Sequence, residues 1–444
     1  MRTAVSLFAS GGIGDLALKG SGWSVLVANE LLEDRASVFC ANFPETKMLC
    51  GDIRKLENEI ITKTLKLLNG RELDLIFATP PCQGMSKNGR GKLLRGIRNG
   101  LKPKLDERNQ LIINAINCIK GLKPRLIVFE NVAEMESTLI ESPEGKLVNV
   151  LDWVKISLAP QYEGSWQVVE FADYGVPQRR QRLITIFTRD PILKRELQAS
   201  GTLLPPRTHA KGTGLFQKKW ISVDEAISHL PPLDSKNEKT AKSDIPFHYV
   251  PLLDETKYFW VSNTPEGKSA FDNQCINPKC RYQGNLTHKA SHNAEGINQA
   301  SKETPIRCKK CSELLPRPWV KSDTTVRLMS GFTSAYKRMR GDLPASALTS
   351  NLSYACSDQK IHPRQHRVLS LKEAFILHTV DNFDFKWMRI DGKKLTDRSI
   401  REIIGESIPP SGLKIIFDYL SDLSTLQITK KTKKQASMVP VITL

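Results

Sequence analysis

An apolar run, Leu73-Asp74-Leu75-Ile76-Phe77, leads into Ala78-Thr79-Pro80-Pro81-Cys82-Gln83-Gly84. A short, nearly continuous apolar run reads as a strand buried on both faces, the kind found in a parallel sheet covered by helices. Proline has no N–H to give to a ladder, so two in succession end the strand and turn the chain sharply. In an open parallel sheet, ligands collect at the carboxyl ends of the strands. Cys82 is the first reactive side chain past such an end. A structural cysteine in a tight turn suits this stretch as well as a nucleophile does, so its neighbours have to decide.

The chain on either side repeats the pattern. Residues 3–9 read as a first strand, running into Ser10-Gly11-Gly12-Ile13-Gly14, a glycine turn that opens a helix and lets a ligand approach the backbone. Ser24 to Glu30 is a second strand ending on an acid, and a carboxylate there can accept from both hydroxyls of a ribose. Asp34 to Phe43 reads as a helix, and Lys47 to Ile53 as a third strand whose Asp52 can accept from an adenine amino group. Leu56, Ile60, Leu65 and Leu68 mark a helix, Asp106 to Gly121 another, and Arg125 to Val132 a fifth buried strand carrying Glu130. Residues 144–159 read as helical, with further strands at Trp166–Ala172 and Leu183–Thr188. Between those strands, Gln178, Arg180 and Arg182 share one face of an extended segment. This is an α/β chain with a doubly wound, mostly parallel sheet. Its strand ends bear a glycine turn, Glu30, Asp52 and then a thiol, an edge suited to a nucleoside cofactor such as S-adenosyl-L-methionine. A nicotinamide enzyme would not need the cysteine.

The formal net charge of +18 points to a polyanionic partner, and the basic end Lys430-Lys431-Thr432-Lys433-Lys434 supplies only four of those charges. Residues 87–104 hold seven Lys or Arg, four Gly and no acid, the composition of a loop that closes on phosphates. No apolar run is long enough to span a membrane and the N-terminus reads as a strand, so a cytoplasmic chain with its nine cysteines reduced is expected.

After Asp190 the strand–helix rhythm stops, and a second, smaller domain is expected over 191–399. Within it, Cys275 and Cys280 precede Cys308 and Cys311 by 27 intervening residues, a spacing suited to a structural, tetrahedral zinc module near 275–311. His288 and His292 read as surface histidines. Arg327, Lys337, Arg338 and Arg340 interleave with Phe332 and Tyr336, a mixture suited to contacts with DNA. A loop at 404–410 precedes a last helix near 411–421, and residues 425–444 read as a loose basic tail.

Taken together, these stretches resemble the DNA cytosine-5 methyltransferase family, in the family's order. Phe8 to Gly14 is similar to its first motif, Glu30 and Gly51-Asp52-Ile53 to its second and third, and Pro80 to Gly84 to its nucleophile motif. Asp106 to Leu111, Glu130-Asn131-Val132 and Gln178-x-Arg180-x-Arg182 resemble the fifth, sixth and eighth. Arg367 to Glu373 and Ile404 to Pro410 resemble the last two. Ser10 stands where the first motif has its leading glycine, Leu31 where some members have an aromatic, and Glu406 where the last has asparagine.

The resemblance implies a Rossmann-like S-adenosyl-L-methionine-dependent catalytic domain over 1–190 and 400–424, with 191–399 as target-recognition region. It implies Cys82 as nucleophile toward carbon 6 of a flipped-out cytosine, with Glu130, Arg180, Arg182 and Gln83 in the catalytic set. Phe8, Gly12, Glu30, Asp52, Ile53 and Pro81 would hold the cofactor. The expected partner is double-stranded DNA, acted on by a monomer of bacterial restriction–modification type with a cognate restriction endonuclease as genetic partner. The alternatives are an RNA (tRNA) cytosine-5 methyltransferase and an inactive, zinc-containing DNA-binding protein.

Overall fold

The computed structural model describes residues 2–81, 106–212, 216–288, 290–292, 298–300, 303–322, 325–329 and 334–436; for 290–292, 298–300 and 425–436 the backbone alone is considered. Cys82, Gln83, the basic stretch 87–104 and Phe332 lie outside the described residues.

Seven strands form one sheet: β1 (Arg2–Leu7), β2 (Trp23–Glu30), β3 (Lys47–Cys50), β4 (Leu75–Ala78), β5 (Leu126–Asn131), β6 (Glu163–Glu170) and β7 (Gln181–Thr188). Their order is β3-β2-β1-β4-β5-β7-β6. The first five are parallel, and β7 runs antiparallel to both β5 and β6. Strand order reverses between β1 and β4, and that switch point is where an open α/β sheet leaves a crevice for ligands.

Side chains alternate across the sheet with the two-residue period of a strand. Leu75, Phe77, Leu126 and Val128 enter one core with helices α1 (Ile13–Gly20), α2 (Glu33–Asn42) and α11 (Pro410–Ala436). Ile76, Ala78, Ile127 and Phe129 enter the other, against α3 (Ile53–Leu68), α4 (Leu111–Leu122) and α5 (Val150–Leu158). With both faces covered, the short runs at 75–78 and 126–131 are buried throughout.

Several expectations shift. Residues 144–159 are not one helix: Leu139–Glu141 pairs with Leu147–Asn149 in a small ribbon, and Asn149 caps α5 by accepting from Leu151 and Asp152 N–H. Packing does not change at 190 or 399. α6 (Pro191–Ser200), α7 (Val223–Ile227), α9 (Leu371–Leu377) and α10 (Asp397–Glu406) contribute Leu193, Val223, Ile227, Leu371, Phe375, Ile400 and Ile403 to the core of α1. The second region's own larger core begins at Trp260, in α8 (Glu255–Ser262), and ends at Val368. The last helix runs to Ala436, through much of the expected tail, because nothing after Gly412 breaks it.

Two arginines staple the second region from inside. Arg338 is buried and donates to the carbonyls of Val261, Thr264, His362 and Gln365. Arg317 does the same for Asn273, Leu286 and Pro305. The expectation that Arg338 and Tyr336 contact DNA is therefore overturned, since both are buried. Arg340 remains exposed but is paired with Asp342. His288 is also buried rather than at the surface, stacked on Phe271 with its rings 4.8 Å apart.

Candidate active site and cofactor edge

The approach to Cys82 is tied to both neighbouring strands. Thr79 N–H donates to the Leu7 carbonyl at 3.2 Å and its hydroxyl to the Phe8 carbonyl at 2.9 Å. On the other side, the Asn131 amide donates to the Pro80 carbonyl at 2.9 Å, while its own oxygen accepts from Val132 N–H. Two prolines cannot hold themselves in a ladder; β1 and the end of β5 hold them instead. The described chain therefore reaches Pro81 from two held residues, Thr79 and Pro80, at the switch point of the sheet.

Glu130 sits one residue before Asn131, on the same strand end. Arg182, which precedes the first β7–β5 pair at Leu183 and Asn131, places its Nε 2.8 Å from Glu130 Oε1. Both side chains are nearly buried, at 16% and 9% exposure, so the pair is screened little by water. Burial pushes the Glu130 carboxyl above its ordinary range, and Arg182 and Arg180 pull it back. A carboxyl so placed holds a proton more readily than an exposed one.

Arg180 has a different position. It is fully buried and donates to the carbonyls of Leu348 and Gly405, each at 2.9 Å. Its backbone N–H donates to Glu170 at 2.7 Å. Burial, and then repulsion from Arg182, holds its guanidinium well below the usual range, with Glu130 acting against them. Gln178 is also buried: its side-chain oxygen accepts from Leu348 N–H, and its amide meets His378 Nδ1 at 3.1 Å. Gln178 and Arg180 thus tie the sheet to the segment near 348 and to α10, leaving Arg182 as the arginine in contact with Glu130. The short strand Gln178–Arg179 reinforces this by pairing in parallel with Ala345–Ser346.

At the cofactor edge, Glu30 accepts from Ser10 N–H at 2.8 Å and from Leu32 N–H at 2.9 Å, one bond to each oxygen. Each oxygen keeps a further lone pair, so the carboxylate can still accept from two ribose hydroxyls. Leu31 and Leu32 beside it are exposed apolar side chains, able to cover a flat ring. Phe8 and Ser10 adopt φ of 62° and 48°, left-handed values that are uncommon outside glycine and mark a shaped turn. Gly12 adopts φ of 88°, and a Cβ there would lie 2.6 Å from Phe43 and 2.9 Å from Phe39. Its glycine therefore serves the packing of α1 against α2. Asp52 caps α3, accepting from Arg54 N–H, and its carboxylate also pairs with the Arg54 side chain at 2.6 Å. That pairing holds Asp52 below the ordinary carboxylate range. Ile53 is buried in the sheet's second core. These groups suit a nucleoside: Glu30 and Asp52 offer carboxylate acceptors, and Leu31 and Leu32 apolar cover.

Far from this edge, Cys275, Cys280, Cys308 and Cys311 bring their sulfurs within 4.8 Å of one another. Cys275 and Cys311 stand 3.6 Å apart and Cys280 and Cys308 3.8 Å. Four thiolates around one zinc at roughly 2.3 Å give sulfur–sulfur edges of about 3.8 Å, whereas a disulfide would need about 2.05 Å. The four cysteines fit a closed tetrahedral site.

The sequence reading assigned no individual site role to Arg35, Asn131, His378, Leu348 or Ser407. Asn131 is adjacent to an expected residue and could have been suspected; the others are brought in by tertiary contacts alone.

Comparison with known proteins covers the same ground. A family model described as C-5 cytosine-specific DNA methylase matches residues 2–422. The chain is 30% identical over 418 residues to the Type II methyltransferase M1.HgaI of Avibacterium volantium, covering 91% of this chain and 94% of that protein. It is 23% identical over 444 residues to the Type II methyltransferase M.AgeI of Thalassovita gelatinovora, covering 92% and 96%. Among solved structures, a putative DNA modification methyltransferase encoded within an Escherichia coli prophage aligns with a TM-score of 0.57 at 17% identity, covering 96% of this chain and 99% of that one.

Proposed function

The chain belongs to the C-5 cytosine-specific DNA methylase family and is a DNA cytosine-5 methyltransferase that uses S-adenosyl-L-methionine; from that premise we propose that Cys82 is its nucleophile and Glu130, held by Arg182, its proton partner. Carbon 5 of cytosine is a weak nucleophile. A base inside a duplex is out of reach, so the target must first leave the stack. The Cys82 thiolate then adds to carbon 6 and forms a carbon–sulfur bond. Glu130 gives or shares a proton at the ring's N3, which takes up the electron density that the addition pushes into the ring. The resulting enamine is nucleophilic at carbon 5. S-adenosyl-L-methionine, when bound, supplies an electrophilic methyl group. Loss of the carbon-5 proton then returns the electron pair and expels the thiolate.

The observation that carries this reading is the shared anchoring at the end of β5: Asn131 holds the Pro80 that precedes Cys82, while Glu130 beside it is buried against Arg182. On this reading the thiolate would draw cationic help from Arg182 and from the sulfonium. Glu30 and Asp52 would receive the ribose and the adenine, with Phe8 and Pro81 shaping the cleft and the buried Ile53 packed behind Asp52. The four cysteines would hold a structural zinc that stiffens the target-recognition region. The chain would act as a monomer in the cytoplasm, protecting host DNA against a cognate endonuclease.

The test is direct. The wild type should methylate duplex DNA at a site that bisulfite sequencing of expressing cells reveals. It should also form a denaturant-stable adduct with 5-fluorocytosine DNA, because fluorine blocks the final elimination. Cys82→Ala should do neither. Methyl transfer by Cys82→Ala would remove Cys82 from the mechanism.

A further inference from the structure

Three consecutive residues at the end of α10 are each held by a different part of the molecule. The Gly405 carbonyl accepts from Arg180, which lies beside Glu130 and Arg182 in the candidate active site. Glu406 forms an ion pair with Arg35 of α2. The Ser407 hydroxyl meets His378 Nε2 at 2.9 Å, and His378 leads on to Gln178. The position of Gly405 is itself constrained, since a Cβ there would lie 2.3 Å from the backbone nitrogen of Ser350.

Arg35 faces two ways. One of its Nη atoms pairs with Glu406 and also lies 3.3 Å from the Ser10 hydroxyl. The backbone N–H of that same Ser10 orients Glu30. The guanidinium is only 15% exposed, against 42% for Glu406, so it is a partly desolvated cation whose main anionic partner is at the rim. Glu30 is the next carboxylate in its field. Ser10 and Glu406 are also two of the places where the chain departs from the motifs it resembles, and both touch Arg35.

We propose that Arg35 and Glu406 form a latch that fixes the Ser10–Glu30 turn against the end of α10 and thereby sets affinity for the nucleoside cofactor. Arg35 is a positioning residue here. Glu406 keeps the guanidinium occupied, so that Glu30 stays free for the ribose. Without Glu406, Arg35 turns to Glu30 and neutralises the carboxylate that the cofactor needs. Without Arg35, Ser10 loses its tether and Glu406 stands alone at the rim. The inference rests on the reading of Glu30 as a cofactor ligand.

The experiment uses the full chain and compares Glu406→Gln, Arg35→Met and the double variant. Binding of S-adenosyl-L-homocysteine is measured by calorimetry, and kcat and KM for S-adenosyl-L-methionine on a duplex carrying the mapped site. Each single variant should weaken binding and raise KM by about tenfold, the worth of one charge-assisted hydrogen bond, with kcat within about twofold. The double variant should be no worse than either single, because both remove one interaction. The effect should shrink in high salt, since one end of the pair is exposed. Unchanged binding in both singles, losses that multiply in the double, or a fall in kcat that follows melting temperature with KM constant would each overturn the latch. Failure of the wild type to bind S-adenosyl-L-homocysteine would instead overturn the cofactor reading beneath it.

Discussion

Replacing Arg182 with Met should make the stability of the protein depend on pH in a way that isolates Glu130. The pair it breaks has a separation of 2.8 Å and is nearly buried on both sides. At an effective dielectric of about 20, two unit charges about 4 Å apart attract by about 4 kcal/mol, and breaking a buried pair on one side costs about 3–5 kcal/mol. Glu130 has an escape, however: it can take up a proton. From an ordinary value of 4.5, the cost of protonation at pH 7 is about 3.4 kcal/mol, and this caps the penalty. Arg180 remains in the field of Glu130 and offsets part of it, so a loss of about 2–3 kcal/mol at pH 7 is expected.

The sign of the pH dependence follows. The Glu130 carboxyl is raised by burial even in the wild type, and without Arg182 it is raised further. A carboxyl raised in the folded state adds stability below its unfolded value, and that contribution is lost as pH rises through the folded one. The variant should therefore approach wild-type stability on acidification, to within about 1.4 kcal/mol at pH 5.5, and fall away again toward pH 8. Urea midpoints at pH 5.5, 7 and 8 measure this. The double variant Glu130→Gln/Arg182→Met carries neither charge of this pair and should recover at least half of the loss at pH 7. A penalty for Arg182→Met that stays constant across this range, or a double variant that is no more stable than the single one, would show that Arg182 contributes packing and not charge.

Two further outcomes bear on the same reading. Glu130→Gln keeps an oxygen that accepts from Arg182 and should fold with a stability loss no larger than that of Arg182→Met, yet lower kcat about 10²- to 10⁴-fold, the usual worth of a positioned acid–base group; kcat within threefold of wild type would exclude a proton-transfer role. Elemental analysis of purified protein should find one zinc per chain, lost in Cys308→Ser, and chelation should lower the melting temperature without changing S-adenosyl-L-homocysteine binding; a metal-free wild type with an unaltered melting curve would remove the zinc.

What could be read in the sequence was what local chemistry determines. Glycine, proline and the acids at strand ends mark where the sheet stops, and a parallel sheet places its site there whatever the loops do. Glu130 and Arg182 were legible for that reason. So was the grouping of the four cysteines, whose paired spacing anticipates the cluster that their sulfurs form. The contacts of Arg180 and Asp52 were not legible. Arg180 has the same residue type and the same face as Arg182, yet it is engulfed because the segment near Leu348 folds over it from 168 residues away. Asp52 can accept from adenine or from Arg54 with equal chemical ease, and the adjacent helix start brings Arg54 there first.

The same difference changes the meaning of the positive charge. A net charge of +18 suggests a surface that meets phosphate, and residues 324–342 look like one place where it does. But Arg180, Arg317, Arg338 and Arg367 are buried, and the hydrogen bonds they make go to protein: in three mainly to backbone carbonyls, and in Arg367 mainly to Glu373. A guanidinium has five donors in a rigid fork, which suits it to gathering carbonyls from separate loops where no hydrophobic residue could satisfy them. In the second region, which has few long helices or strands, this is how irregular chain is held in one shape. Buried charges of this kind still add to the long-range field that draws DNA in, but they release no counterions from it. Steering and contact thus need different residues: arginines inside the fold can contribute to the first, while the second is open only to exposed side chains, of which Arg327 is one.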